Sequence, residues 1–316
     1  MARRILRRKG GAVRRTLSLV LVAFVAAACG NARTAGTQPV ATGSFPVTVQ
    51  ASSGPLILQA KPIRIVSLSP TATEILFAIG AGEQVVAVDD QSTYPATAPK
   101  TSLSGYEPNI EAIASYRPDL VVFSNGAIAE KLSALSIPGL HQDAAASLDD
   151  TYRQINELGQ ATGHTGDAAK VVADMRRKIA EISGAVGTVA GEPTYYHELD
   201  STYFSVTSKT FIGTVYALLG LRNIADAADA QNTGYPQLSA EYIIQSNPAL
   251  IFLADTKCCG QSEATVAKRA GWDKIDAVRG GHVIALDDDI ASRWGPRIVD
   301  FLRTVADALG ELKAAA

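Results

Sequence analysis

Two stretches of this chain say nearly the same thing. NIEAIASYRPDLVVF at residues 109–123 and SAEYIIQSNPALIFL at residues 239–253 each open on a residue that caps helices well, Asn109 or Ser239. The short side-chain oxygen of such a residue takes up a free backbone N–H of the first turn. Two positions on, each carries a glutamate, Glu111 or Glu241; further on, each meets a proline, Pro118 or Pro248, that stops the helix. The apolar runs that follow, LVVF and LIFL, have the length and content of a buried parallel strand. A helix feeding a strand, written twice, constrains the fold to two similar halves.

The surroundings of the repeat agree with that. KPIRIVSL reads as a strand; Thr71 and Glu74 have capping-box spacing ahead of a helix that Gly80 closes. Strand 84–88, the first repeat and a short strand near residues 137–141 follow. From 147 to 182 the pattern becomes one long helix, with Val171, Val172, Met175, Ile179 and Ile182 on one buried face. A second series then begins: TYYHEL and YFSVT as strands, the helix TFIGTVYALLGL, the second repeat, strand HVIAL and a final helix over 296–312. Strands alternating with helices predict an α/β fold of two parallel-sheet lobes, here joined by a single long bridging helix. The expected boundaries are an N-terminal lobe over 55–165, the bridge over 166–190 and a C-terminal lobe over 191–316. One helix packed on both lobes resists hinge opening.

A length of 316 residues suits two lobes, and 47% hydrophobic residues supply two cores. The net charge of −2 leaves no footprint for nucleic acid, and what basic excess exists lies at the start. Seven Lys or Arg residues precede position 16, and an apolar run over 17–28 follows, too short to span a membrane but right for a signal peptide over 1–28. Ala26-Ala27-Ala28-Cys29 resembles the lipobox of bacterial lipoproteins, with Ala26 in place of the usual leucine, which makes Cys29 the candidate for lipidation. Arg14-Arg15 also fits a twin-arginine export signal. Residues 29–54, rich in Ala, Thr, Ser and Gly, read as a flexible tether.

Apart from Cys29, the thiols are the neighbours Cys258 and Cys259. Export permits a vicinal disulfide between them, although α-carbons about 3.8 Å apart are closer than ordinary bridges. The alternative is two small buried residues in a loop; a zinc site lacks a second cysteine pair. Phosphate loops, nucleophile elbows and paired zinc histidines are missing, and His141, His164, His197 and His282 read as ordinary polar residues, so no metal site and no catalytic residue is assigned. Ligands of parallel sheets bind outside the carboxyl ends of the strands. The loops there carry Tyr94, Tyr106, Phe204, Tyr235 and Trp294, flat rings suited to a large rigid ligand, together with Asp289 and Arg293.

RIVSLSPTATEILFAIG, STYP, NIEAIASYRPDLVV, YPQLSAEYII and DIASRWGPRIVDFL, in that order, resemble the substrate-binding proteins of iron-siderophore and vitamin B12 ABC importers, the class III periplasmic binding proteins, from about residue 64 to 312. The resemblance implies the two-lobed, helix-bridged fold with ligand held between the lobes, and no cofactor of the protein's own. It implies that Glu111 and Glu241 dock into arginine pockets of a dimeric permease, one per lobe. It places the protein at the outer face of the cytoplasmic membrane, lipid-anchored, or in the periplasm. Of the ligand positions, Phe204, Asp289 and Arg293 match the cobalamin-binding members in residue type, and Tyr235 stands for a tryptophan. Gln91 replaces a tyrosine, Ser124 replaces a tryptophan, and Tyr106 matches another tryptophan only approximately. The ligand implied is a corrinoid; the thinner aromatic wall and Arg293 equally suit an anionic ferric siderophore. An exported enzyme using the paired carboxylates as acid and base is the rival of another class. Their positions at helix starts on separate lobes oppose it, because glycosidases hold the two within about 5–9.5 Å.

Overall fold

The computed structural model describes residues 44–187 and 191–315. It opens on an antiparallel hairpin, β1 (Val47–Ala51) and β2 (Gly54–Leu58), paired from Val47↔Leu58 to Ala51↔Gly54. This corrects the tether: its part over 44–54 is folded, and Val49 and Leu58 are buried in the core. Alternating Val47, Val49 and Ala51 carry a period of two that the small-residue composition conceals. The signal peptide expected over 1–28, Cys29 and the start of the expected tether lie outside the described residues.

The N-terminal lobe runs β3 (Ile65–Leu68), α1 (Pro70–Ala78), β4 (Val85–Val88), α2 (Ile110–Ser115), β5 (Leu120–Phe123), α3 (Ala129–Ala134) and β6 (Gly139–His141). Its four strands pair in parallel in the order β4-β3-β5-β6. Ser69, rather than Thr71, caps α1, accepting from the Ala72 N–H at 3.4 Å with Pro70 in the first turn. That frees Glu74 for another role.

The single long helix expected over 147–182 is two, α4 (Leu148–Thr162) and α5 (Thr165–Val186). Gly163, at φ 75°, takes the left-handed conformation that ends α4, and α5 turns back against it. The contact is close: a Cβ on Gly159 would sit 2.4 Å from that of Ala168. Helix α5 is the bridge, about 33 Å long at 1.5 Å per residue.

The C-terminal lobe runs β7 (Thr194–Glu198), α6 (Phe211–Ala217), β8 (Arg222–Asn223), α7 (Ala240–Ser246), β9 (Leu250–Leu253), the short helices α8 (Thr256–Cys259), α9 (Glu263–Val266) and α10 (Asp276–Arg279), β10 (Val283–Ala285), α11 (Asp288–Ala291) and α12 (Ile298–Ala315). YFSVT is not a strand; Phe204 makes one isolated antiparallel bridge to Gln237, and the place in the sheet goes to Arg222–Asn223. The parallel order β8-β7-β9-β10 is second, first, third, fourth, the same as in the other lobe. The written repeat is therefore a structural repeat, with α2 and α7 each leading into the third strand of its sheet.

One apolar cluster runs through both lobes. It joins Leu76 and Val122 through Met175, Ile179 and Ile182 of the bridge to Tyr216, Phe252 and Leu302. Separate clusters cover the outer faces, around Val121 and Phe123 in one lobe and Ile251 and Trp272 in the other. Each four-residue strand at the repeats is buried throughout, as a sheet covered on both faces requires.

Candidate functional site

The carboxyl ends of β3, β4 and β5 surround a hollow of about 680 Å³ lined by Leu68, Asp89, Gln91, Gly105, Tyr106 and Ser124, among others. A second hollow, of about 420 Å³, lies between the lobes, with Ala145 on one side and Phe211, Tyr235, Ser292 and Trp294 on the other. Tyr106 is 85% exposed, Tyr235 50%, Tyr94 46% and Phe204 38%. These four are half of the large hydrophobic side chains left exposed among the described residues, and all four sit on strand-end loops. Tyr106 lines the first hollow and Tyr235 the second, whereas Tyr94 and Phe204 line neither. The loops that carry Phe204 and Tyr235 are zipped together by Ser205 N–H to Pro236 O at 3.0 Å and Leu238 N–H to Tyr203 O at 3.0 Å.

Asp289 and Arg293 turn inward to each other and to the opposite lobe. Arg293, 8% exposed, donates to Glu74 Oε1, to the Gln91 carbonyl and to Asp289 Oδ1, each at 2.8 Å. Glu74, 2% exposed on α1, also receives a two-pronged contact from Arg297, whose Nε donates at 2.9 Å. Arg297 in turn lies 4.1 Å over the Tyr94 ring. Lys257 donates to Asp287 at 2.7 Å and Asp289 at 3.1 Å, and Thr93 reaches Asp289 at 3.4 Å. A polar seam thus stitches the lobes. Gln91 belongs to the first hollow and Ser292 and Trp294 to the second, so the seam runs between them. Trp294 is half-buried, and its Nε1 donates to Gln154 Oε1 of α4 at 2.9 Å, a further brace across the lobes.

Glu74, Arg297 and Asp89 were not among the residues expected here. Asp89, at the end of β4, is 2% exposed; its Oδ1 accepts from the Gln91 N–H at 2.8 Å, and its Oδ2 has no partner. Burial, with Asp90 adding repulsion, pushes its carboxyl up to about 6. In the other lobe the buried Asp255 is raised to about 7 by desolvation and the neighbouring Glu198, itself held by Arg269 at 2.6 Å. His197 is wholly buried, Nδ1 against the Tyr216 hydroxyl at 2.8 Å, and burial holds it down at about 3. Among the described residues, no three His, Cys, Asp or Glu side chains gather as metal ligands.

Cys258 and Cys259 form a vicinal disulfide, Cα–Cα 3.8 Å, and both are exposed on α8, against the alternative of buried residues. The Asp288 carboxylate accepts from the N–H groups of Thr256, Lys257 and Cys258 at 2.9–3.0 Å, which ties this turn to the seam.

The repeated helices are alike in detail. Asn109 accepts from Ala112 N–H at 3.0 Å and Ser239 from Tyr242 N–H at 3.1 Å. From Asn109 to Arg117 and from Ser239 to Asn247 the order of exposed, half-buried and buried positions is identical, residue for residue. Both helices stop at a residue with positive φ, Arg117 at 50° and Asn247 at 44°. Glu111 and Glu241 are both exposed in the first turn. No helix among the described residues is long and apolar enough to cross a membrane.

This arrangement has known counterparts. A Bacillus subtilis protein described as an uncharacterized ABC transporter substrate-binding lipoprotein is 29% identical over 306 residues, covering 92% of this chain and 95% of its own. A cobalamin-binding protein of Halobacterium salinarum is 31% identical over 313 residues, 93% of this chain and 84% of the relative. The crystal structure of the periplasmic vitamin B12 binding protein BtuF of Vibrio cholerae superposes with a TM-score of 0.66 at 26% identity, over 80% of this chain and 98% of that one. Residues 65–290 match the family described as periplasmic binding protein, and with the twin four-stranded lobes and bridging helix in place, the chain belongs to that family.

Proposed function

We propose that the protein captures a corrinoid of the vitamin B12 type in the cleft between its lobes and hands it to a two-fold symmetric ABC importer through Glu111 and Glu241. The observation that carries the delivery half is the repeat: two exposed glutamates, in the same turn of equivalent helices, with the same local exposure. A permease built from two equal halves offers the same basic pocket twice, and a binding protein that meets both must offer the same acid twice. An acid in a first turn also complements its helix dipole, by about 0.3–1 kcal/mol, but that benefit gives no reason for a matched pair.

The corrinoid rests on the cobalamin- and vitamin B12-binding relatives and on the exposed rings Tyr94, Tyr106, Phe204 and Tyr235. Asp289, Arg293 and Trp294 brace the two lobes against each other beside the hollows. An anionic ferric siderophore is the weaker reading, because the guanidinium of Arg293 is already neutralised by Glu74 and Asp289. Calorimetry of the mature chain against cyanocobalamin, cobinamide and ferric siderophores tests this. Cyanocobalamin should bind at micromolar concentration or below and the siderophores should not. A siderophore that binds while both corrinoids fail refutes it.

Lipid attachment at Cys29 would keep the captured ligand near the importer at the outer face of the membrane. The N-terminal peptide of the mature protein should carry a diacylglyceryl cysteine at position 29; an unmodified peptide beginning elsewhere would end that part of the proposal.

A further inference from the structure

The hollow at the N-terminal lobe is chemically one-sided. Its lining includes two adjacent acids, Asp89 and Asp90, and no lysine, arginine or histidine. Asp89 is 2% exposed with Oδ2 unpaired, although buried polar atoms nearly always find a partner. The approach to that oxygen is kept narrow by backbone: a Cβ on Gly105 would lie 3.3 Å from it and 2.9 Å from the Leu68 carbonyl. The rest of the wall offers the Tyr106 ring and the uncharged polar groups of Gln91 and Ser124. At neutral pH most of the Asp89 carboxyl is ionised, since it titrates near 6, and the charge beside it is the like charge of Asp90. A ligand group entering here meets an anion that no cation of the lining offsets, so a like charge on the ligand is repelled.

We propose that this hollow is a charge-selective subsite: it takes the uncharged, N–H-bearing edge of a ligand, a primary carboxamide, and rejects a carboxylate in the same position. The inference rests on the corrinoid reading and deepens it, because a corrinoid carries primary amides around its rim. Asp89 and Asp90 then discriminate against chelates whose rim groups are acids.

The side-chain monocarboxylic acids of cyanocobalamin provide the test, since each replaces one amide by an acid of nearly the same size. Titrated into the wild-type chain at pH 7.5, at least one should bind tenfold or more weakly than cyanocobalamin, and this needs no variant. In Asp89→Asn that gap should narrow to threefold or less. Equal affinity of every monocarboxylate and the parent for the wild type overturns the subsite, as does a gap that survives unchanged in both Asp89→Asn and Asp90→Asn. Failure of cyanocobalamin itself to bind removes the corrinoid reading and this inference together; binding without discrimination removes this inference alone.

Discussion

Cells that depend on this protein for corrinoid uptake should lose that uptake, by a hundredfold or more, when Glu111 and Glu241 are both changed to lysine, while the purified variant keeps its corrinoid dissociation constant within about twofold. Both side chains are exposed on α2 and α7, and neither lines a hollow of the cleft. If the proposed docking holds, reversing their charge sets lysine against basic pockets of the permease and turns two attractions into repulsions, which in a desolvated interface costs several kcal/mol. The folded protein should notice little. A lysine in a first turn opposes the helix dipole by roughly 1 kcal/mol at most, so thermal unfolding should shift by only a few degrees. Uptake close to wild type, measured with labelled cyanocobalamin, would refute docking through these residues. A large loss of affinity would move them into the ligand site instead.

Glu74→Ala should strongly destabilise the folded protein. Among the described residues, Glu74 is the one acid ion-paired with both Arg293 and Arg297, and its carboxylate is almost wholly buried between the lobes. Removing one partner of a buried ion pair strands the other charges, which typically costs about 3–5 kcal/mol. Here two guanidiniums are stranded, although Arg293 keeps Asp289 and the Gln91 carbonyl. A drop in melting temperature on the order of 10 °C is expected for a folded body of this size. Urea unfolding of wild type and variant measures it directly. A loss below about 1 kcal/mol would mean that the seam is no stronger than a surface pair.

Much of the fold was legible in the residues because its signals are local. The capped helix, the proline stop and the apolar four-residue strand are each set by spacing of a few positions, and Asn109 and Ser239 do cap α2 and α7. Buried Met175, Ile179 and Ile182 follow from the same kind of periodicity. Where the reading erred, a local signal was short or ambiguous. Five alternating residues at 47–51 were lost in a small-residue tract, and YFSVT had the composition of a strand while the sheet used Arg222–Asn223. Glu74 stood at capping-box distance from Thr71, a local explanation that concealed a distant one. The pair Asp89-Asp90 looked like any polar loop.

The amino-acid order alone determined that there are two lobes of one pattern, that each opens a helix with a glutamate in its first turn, and that rings collect on the strand-end loops, since all of these depend on neighbours along the chain. Only the tertiary structure decided what the charges do. Arg293 and Glu74 stand 219 residues apart, and no periodicity links them. They pair because α4, packed on α1, and α5, packed on α4 and α12, belong to one apolar cluster shared by both lobes, which sets α1 against the segment between α11 and α12. Burial then makes that pairing obligatory and leaves Asp89 without one.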